Sequence, residues 1–185
     1  MPEVNSIKKI LVKLPQDVLK EVSRKRPWNR VNLPVYSISS KAGTEASNNA
    51  NMHIITYASQ ISMQPKRFVC GIYHGTKTLQ NVLLHGEFVL QLLAASQYRL
   101  VDLLGKQSGN KTDKIGRLNK RDLSTTWNNF LVLKDCLAVM QLKVISSFDG
   151  GDHQGFVCDM IAYKNLNEGT ALTLDVLREH KLIRI

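Results

Sequence analysis

Residues 51–81 read NMHIITYASQISMQPKRFVCGIYHGTKTLQN, and they carry the clearest structural signals of the chain. Two runs rich in β-branched and aromatic residues, 52–59 and 67–73, predict strands on either side of a break at 63–66 (MQPK). A Gly-Thr-Lys-Thr turn then leads into residues 78–85, where apolar side chains recur at helical spacing. The stretch therefore predicts two strands in succession followed by a short helix.

The rest of the chain repeats this strand-rich pattern. Further strand-like runs occupy residues 34–39, 87–93, 130–133, 137–148 and 154–164. The last two runs flank the sequence DGGD, which is typical of a tight turn between antiparallel strands. No Gly-rich strand-to-helix turn of a doubly wound fold occurs early in the chain. We therefore predict a mainly β fold, an antiparallel barrel with short flanking helices, and a polar loop region at 105–129.

A length of 185 residues fits one domain with a small appendage. Pro15 begins a short amphipathic pattern that Pro27 ends, so residues 1–33 are predicted to be an N-terminal helical extension. Residues 34–185 are predicted to be the barrel domain.

The composition limits the partners. A net charge of +10 favours anions such as nucleotides, nucleic acid or acidic membrane surfaces. The charges are scattered and only 6% of the residues are aromatic, which argues against stacking of bases; a basic nucleic-acid-binding barrel is kept as the less favoured alternative. No apolar run reaches the ~18 residues of a membrane span, and no signal-peptide pattern is present, so we expect a cytoplasmic protein without a membrane partner. Cys70, Cys136 and Cys158 lie far apart in apolar runs and are expected to be buried free thiols.

Residues Thr56, Tyr57, Ala58 and Ser59 stand at a predicted strand end. Backbone N–H and C=O groups at such a strand end can face the polar edge of a planar ring, and small side chains allow a ring to approach closely. The alternative is that these residues are simply the last part of a strand before a turn.

Thr76, Lys77 and Thr78 form a candidate phosphate site. They stand at the start of the predicted helix, where unpaired N–H groups and the helix dipole favour an anion. Lys77 adds a charge, and the two hydroxyls add hydrogen bonds. The alternative is that one of the threonines only caps the helix.

His153 follows the predicted tight turn, where it could approach the face of a bound ring or the nicotinamide of a hydride donor. The alternative is an exposed turn histidine. No histidines or cysteines show the spacing of a metal site, so no metal is predicted. The segment 105–112 (GKQSGNKT) departs from the spacing of a phosphate-binding P-loop and is expected to be a flexible loop. Nothing marks a general acid and base pair, which suits an enzyme whose cofactor carries the chemistry.

Taken together, these motifs resemble the flavin reductase-like family, the split-barrel FMN-binding proteins, from about residue 34 to residue 163. The pieces that carry the resemblance are Asn51, 56–65 (TYASQISMQP), 76–81 (TKTLQN), 86–93 (GEFVLQLL), 95–97 (ASQ) and 151–153 (GDH). The chain departs from the family pattern in having one Pro after the conserved Ser, Gln91 where Asn is common, and an Asn-rich segment before the flavin loop.

The resemblance implies a six-stranded antiparallel Greek-key split β-barrel, usually a homodimer, with FMN or FAD near the subunit boundary. Many members take hydride from NADH or NADPH and pass reduced flavin to a partner oxygenase, whereas others are FMN-binding electron carriers without their own NAD(P)H site. By position, the resemblance assigns cofactor binding to Asn51, to Thr56, Tyr57, Ala58, Ser59 and Gln60, and to Thr76, Lys77 and Thr78. It assigns the catalytic position beside the nicotinamide or the ring to His153.

Overall fold

The structure of the protein is a computed structural model, which describes residue 27 and residues 30–47 and 49–183. The helix predicted to begin at Pro15 lies outside the described residues. Within them the chain forms nine strands: β1 (Tyr36–Ser40), β2 (Asn51–Ile55), β3 (Ala58–Met63), β4 (Lys66–Tyr73), β5 (Glu87–Leu92), β6 (Ser124–Trp127), β7 (Phe130–Leu133), β8 (Ala138–Asp149) and β9 (His153–Asn165). The α-helices of the same residues are α1 (Lys77–His85), α2 (Leu100–Leu104), α3 (Lys114–Asn119) and α4 (Leu174–Glu179), and a 3₁₀ helix (Ala95–Arg99) leads into α2.

In the described part of the chain, seven strands form one antiparallel sheet in the order β2-β1-β5-β8-β9-β4-β3, and β6 pairs with β7 in a separate hairpin. The outermost strands, β2 and β3, are consecutive in sequence and are joined only by Thr56 and Tyr57. Because so short a connection spans at most about 10 Å, the two edges of the sheet must lie close together. The sheet is therefore curled into a barrel that is open between these edges, which confirms the predicted mainly β barrel.

Helix α1 follows the local sequence signals closely. Thr76 is its N-cap and accepts a hydrogen bond from Leu79 N, and Gly86 ends it with a left-handed φ of 75°. Leu79 and Val82 are buried on its inner face. The predicted start of this helix at Thr78 is one residue late, which is within the ordinary variation of helix boundaries.

Alternation along β5 divides the buried side chains into two clusters. Phe88 and Leu90 point into the barrel with residues of β4, β8 and β9, while Val89 and Leu93 pack on the opposite face against the helices and the β6–β7 hairpin. Each fully buried side chain of this size stabilises the fold by about 1.5–3 kcal/mol. Gln91 also lies on the outer side, where its side-chain oxygen accepts from Leu133 N at 2.6 Å. The residue that departs from the family pattern thus fastens the hairpin to the sheet.

The structure differs from the sequence prediction in two places. The run 52–59 is divided into β2 and β3, so the main sheet has seven strands where the resemblance implies a six-stranded barrel. The predicted loop at 105–129 contains α3 and β6. Asp113 caps α3 by accepting from Gly116 N, a signal that the surrounding polar residues obscured. In the part of the chain that the structure describes, no helix has both the length and the apolar character that a membrane span requires.

Candidate functional site

Two adjoining cavities open where β2 and β4 end and α1 begins. The smaller, of about 150 Å³, lies against the barrel between β2 and β4. The larger, of about 440 Å³, lies between the start of α1 and the loop that follows α2. His53, Tyr73 and His153 line both cavities. We treat the two as one cleft.

His153 stands between two tyrosines at the wall that both cavities share. Its ring lies edge-on to Tyr57, with centroids 5.0 Å apart, and edge-on to Tyr73, with centroids 5.2 Å apart. Its Nδ1 lies 2.6 Å from Asp152 Oδ1. An ionised carboxylate can only accept, so Nδ1 is the donor and Nε2 remains for a ligand. This hydrogen bond is also the main reason why the pKa of Asp152 is below its usual value.

The start of α1 forms the opposite side of the larger cavity, where Thr76 and Lys77 line it. The Thr76 hydroxyl donates to Tyr73 O at 2.9 Å and accepts from Leu79 N at 3.2 Å. The capping role proposed as the alternative is therefore present. The N–H groups of Lys77 and Thr78, in the first helical turn, have no partner within the helix. The cap thus leaves N–H donors available to an anion.

Asn51 and Thr78 form a buried hydrogen bond between β2 and α1. Asn51 Nδ2 donates to Thr78 Oγ1 at 2.8 Å, and the two residues are only 3% and 0% exposed. Asn81, also buried, donates to Asn49 O at 2.8 Å and extends this polar contact toward the loop before β2. These contacts fix the position of α1 relative to the strand that carries His53.

The loop after α2 encloses the larger cavity on its remaining side. Gly109 lies so close to Asn51 that a Cβ there would be 2.3 Å from Asn51 Oδ1. Asn110 Nδ2 donates to Gly75 O at 3.2 Å, which joins the loop to the turn before α1. Lys114, at the end of the loop, donates to Leu104 O at 2.8 Å and to Met52 O at 3.3 Å. The loop is therefore held at both ends against the strand and the turn that form the cleft.

The electrostatics of the cleft favour an anion. Lys77 and Lys106 line the larger cavity, and no carboxylate is among the described residues that line either part. Burial, with the nearby Lys114 and His153, lowers the pKa of His53 to about 4, so this imidazole is neutral at pH 7. Burial also lowers the pKa of Lys114 to about 8.

A family model described as a flavin reductase like domain matches residues 28–178 of this chain. The chain belongs to the flavin reductase-like family. The resemblance stated from the sequence is thereby confirmed. None of the curated proteins compared with it matches significantly.

Solved structures resemble the fold of this flavin reductase-like chain. Flavoredoxin from Methanosarcina acetivorans has a TM-score of 0.63 at 18% identity, over 76% of this chain and 74% of that one. An FMN-binding protein from Thermus thermophilus, solved with p-hydroxybenzaldehyde, has a TM-score of 0.68 at 18% identity, over 80% and 84% of the two chains. The NADH:FAD oxidoreductase of Streptomyces globisporus has a TM-score of 0.69 at 12% identity, over 86% and 90%. At these identities the likeness concerns the fold alone.

The structure brings together most of the site residues predicted for this flavin reductase-like chain. Seven of them line the cleft: Asn51, Thr56, Tyr57, Thr76, Lys77, Thr78 and His153. Ala58 instead packs against the barrel core. Ser59 and Gln60 are exposed and bond within β3, and Gln60 lines a different cavity.

The direction of β3 explains this separation. Ala58 pairs with Cys70 and Gln60 with Phe68, so β3 runs antiparallel to β4 and away from the end of β4 that forms the cleft. Each residue adds about 3.3 Å to the distance. A contact of Ser59 or Gln60 with a cofactor in this cleft stays a prediction.

Several cleft residues were not predicted from the sequence. His53 and Tyr73 line both cavities, and Gly105, Lys106, Gln107, Ser108 and Gly109 line the larger one. His53 lies in the middle of β2, and nothing in its local sequence marked it as a site residue. The loop does not match a P-loop, but Gly109 allows its backbone to approach Asn51 closely.

Proposed function

We propose that the protein binds FMN in this cleft and reduces it with NADH or NADPH, so that it acts as an NAD(P)H-dependent flavin reductase. One observation carries the proposal: the cationic start of α1 and the tyrosine-flanked His153 line the same enclosed cleft. A flavin mononucleotide presents an anionic phosphate at one end and a planar ring at the other, and the cleft offers a complementary surface to each.

The phosphate end of the cleft supplies the kinds of donor that a phosphate requires. Lys77 supplies a charge, and the N–H groups at the start of α1 supply hydrogen bonds along the helix dipole. Gly75 precedes them with a φ of +73° and with open space where a Cβ would be. A phosphate can therefore approach the backbone here without meeting a side chain.

The ring end is formed by Tyr57, His153 and Tyr73. When bound, FMN would supply the hydride-accepting chemistry, and the protein would bind and orient it. His153, held by Asp152 through Nδ1, would direct Nε2 toward the ring or the nicotinamide. The neutral His53 would offer a hydrogen bond without placing a second charge beside the ring.

Comparison of FMN with riboflavin tests the proposed phosphate site. Quenching of flavin fluorescence during titration should give a micromolar or tighter dissociation constant for FMN. Lys77→Ala should weaken FMN by about 1.5–3 kcal/mol, the value of a charge-assisted hydrogen bond, and leave riboflavin nearly unchanged. Lys164→Ala, an exposed lysine near the far end of β9 from His153, serves as the control. Failure of the wild-type protein to bind either FMN or FAD would refute the proposal, and equal losses for FMN and riboflavin would move the phosphate elsewhere.

Oxidation of NADH or NADPH in the presence of FMN separates a reductase from an electron carrier. A reductase consumes the nicotinamide at a rate that depends on flavin, whereas a carrier without its own nicotinamide site binds FMN and does not. His153→Ala should lower this rate more than it lowers FMN affinity, because His153 is assigned to the hydride-transfer end of the cleft.

The proposal includes a homodimer in the cytoplasm that passes electrons to an oxygenase or another acceptor. Exposed apolar side chains on the edge strand β3 and on β9 support self-association: Ile61, Met63, Ile161 and Tyr163. Light scattering on the purified protein measures the mass directly, and a monomer at micromolar concentration would remove this part of the proposal.

A further inference from the structure

Another cavity, of about 400 Å³, lies beside the cleft, between residues in and next to α2 and residues in and next to α3. Its lining carries four cationic side chains and one carboxylate around the buried Leu103; the charged residues are Arg99, Asp102, Arg117, Lys120 and Arg121. We call it the basic pocket. Its volume is within the range of roughly 300–1,000 Å³ that is common for small-molecule sites.

The positive charge of the basic pocket is largely unpaired. The carboxylate of Asp102 is already bound by Lys106, at 2.6 Å. Arg117 donates to the neutral Gln107 Oε1 at 3.1 Å. Among the described residues, the side chains of Lys120 and Arg121 make no hydrogen bond and no ion pair, and only their backbone N–H groups are bonded. An anion that entered the pocket would therefore meet available charges, and Leu103 offers an apolar surface beside them.

Gln107 connects the basic pocket to the cleft, because it lines both. From Lys77 at the start of α1, the polar lining thus continues past the Lys106–Asp102 ion pair and Gln107 to the arginines of the pocket. FMN has one phosphate and would occupy only the cleft. A dinucleotide has a pyrophosphate followed by an adenosine, whose flat base can stack on a guanidinium plane. The row of cations therefore matches a longer ligand than FMN.

We infer that the basic pocket binds the adenosine-phosphate end of a dinucleotide whose other end lies in the cleft. This inference rests on the proposed function. The adenosine phosphate could belong to FAD or to the nicotinamide hydride donor, and the two sources share the same chemistry.

A double variant, Lys120→Gln with Arg121→Gln, tests the inference. Both side chains are exposed and have no hydrogen bond or ion pair among the described residues, so the variant should unfold at the wild-type temperature. Lys143→Gln with Lys164→Gln removes the same number of charges from exposed positions on β8 and β9 and controls for net charge. Dissociation constants are measured for FMN and FAD, and KM is measured for NADH and NADPH with FMN as the flavin.

The test variant should leave FMN affinity within about twofold of the control and weaken one dinucleotide by about tenfold or more, the effect of losing a charge-assisted contact. A rise confined to the FAD dissociation constant assigns the pocket to the flavin, and a rise confined to the KM of NADH or NADPH assigns it to the hydride donor. The inference is overturned if no dinucleotide is affected relative to the control, or if FMN weakens as much as FAD. If the wild-type protein binds neither flavin, the proposed function itself fails, and that outcome is distinct from the others.

Discussion

Gly109 provides the sharpest test of how the cleft is assembled. Its backbone has no left-handed φ, so an alanine there would meet no backbone strain. The obstacle is steric, because the new Cβ would lie 2.3 Å from Asn51 Oδ1 and 2.8 Å from Asn51 Cγ. Either the Asn51 amide or the loop must move in Gly109→Ala.

The magnitude follows from what Asn51 holds. Its Nδ2 donates to Thr78 Oγ1 at 2.8 Å, and both side chains are buried. If the amide moves, this buried pair is broken, and leaving a buried polar group unsatisfied costs about 1–3 kcal/mol. We expect Gly109→Ala to lower the free energy of unfolding by that amount. FMN affinity should also fall, because α1 loses the contact that positions its first turn.

Urea unfolding of four proteins isolates the cause: wild type, Gly109→Ala, Asn51→Ala and the double variant. Asn51→Ala removes the atoms with which the new Cβ would collide. The second substitution should therefore add little to the first, and the two effects should be strongly non-additive. If Gly109→Ala costs as much in the Asn51→Ala background as in the wild type, the contact between the loop and Asn51 is not the cause of the lost stability.

Two further predictions concern buried titratable groups. Burial lowers the pKa of Lys114 from 10.5 to about 8, so between pH 8 and pH 10.5 the unfolded chain binds more protons than the folded one. The free energy of unfolding of the wild type, relative to that of Lys114→Met, should therefore rise with pH by up to about 3 kcal/mol. Urea unfolding of both proteins at pH 7.5 and pH 10 measures this difference. If the difference is the same at the two pH values, the Lys114 ammonium does not have the lowered pKa of a buried group. Burial raises the pKa of Cys136 and of Cys158 to about 12, and raises that of Cys70 as well. A thiol reagent at pH 8 should therefore react with the three cysteines only after denaturation, and rapid reaction of the folded protein would show that they are accessible.

The sequence predicted those parts of the fold whose signals are local. Thr76 and Gly86 mark the ends of α1 by capping, and the DGGD turn fixes the β8–β9 hairpin, so both elements were found within a residue or two. The division between β2 and β3 was missed. Thr56 and Tyr57 have high β propensity, and only the closing of the barrel, which brings distant strands together, requires the chain to leave one edge of the sheet and join the other there.

The candidate site was predictable only in part, for the same reason. Thr76, Lys77 and His153 stand beside turns that mark them in the sequence, whereas Gly109 and Lys114 act on residues more than fifty positions away. Ser59 and Gln60 continue the motif of Thr56 in sequence, but β3 carries them away from the cleft. Adjacency in sequence therefore did not indicate that β3 leads away from the cleft, and it gave no sign of the contribution of the loop.

The fold brings cationic side chains that are scattered along the sequence together around the cleft. Along the sequence, the net charge of +10 has no obvious focus. In the structure, α1 places Lys77 opposite the loop that carries Lys106, and α3 turns Arg117 toward the same loop. Lys114, at the base of that loop, is buried with its ammonium on backbone carbonyls, so it anchors the loop and does not compete for the ligand. Lys77 in the cleft and the cations of the basic pocket are thus left for an anionic nucleotide to neutralise.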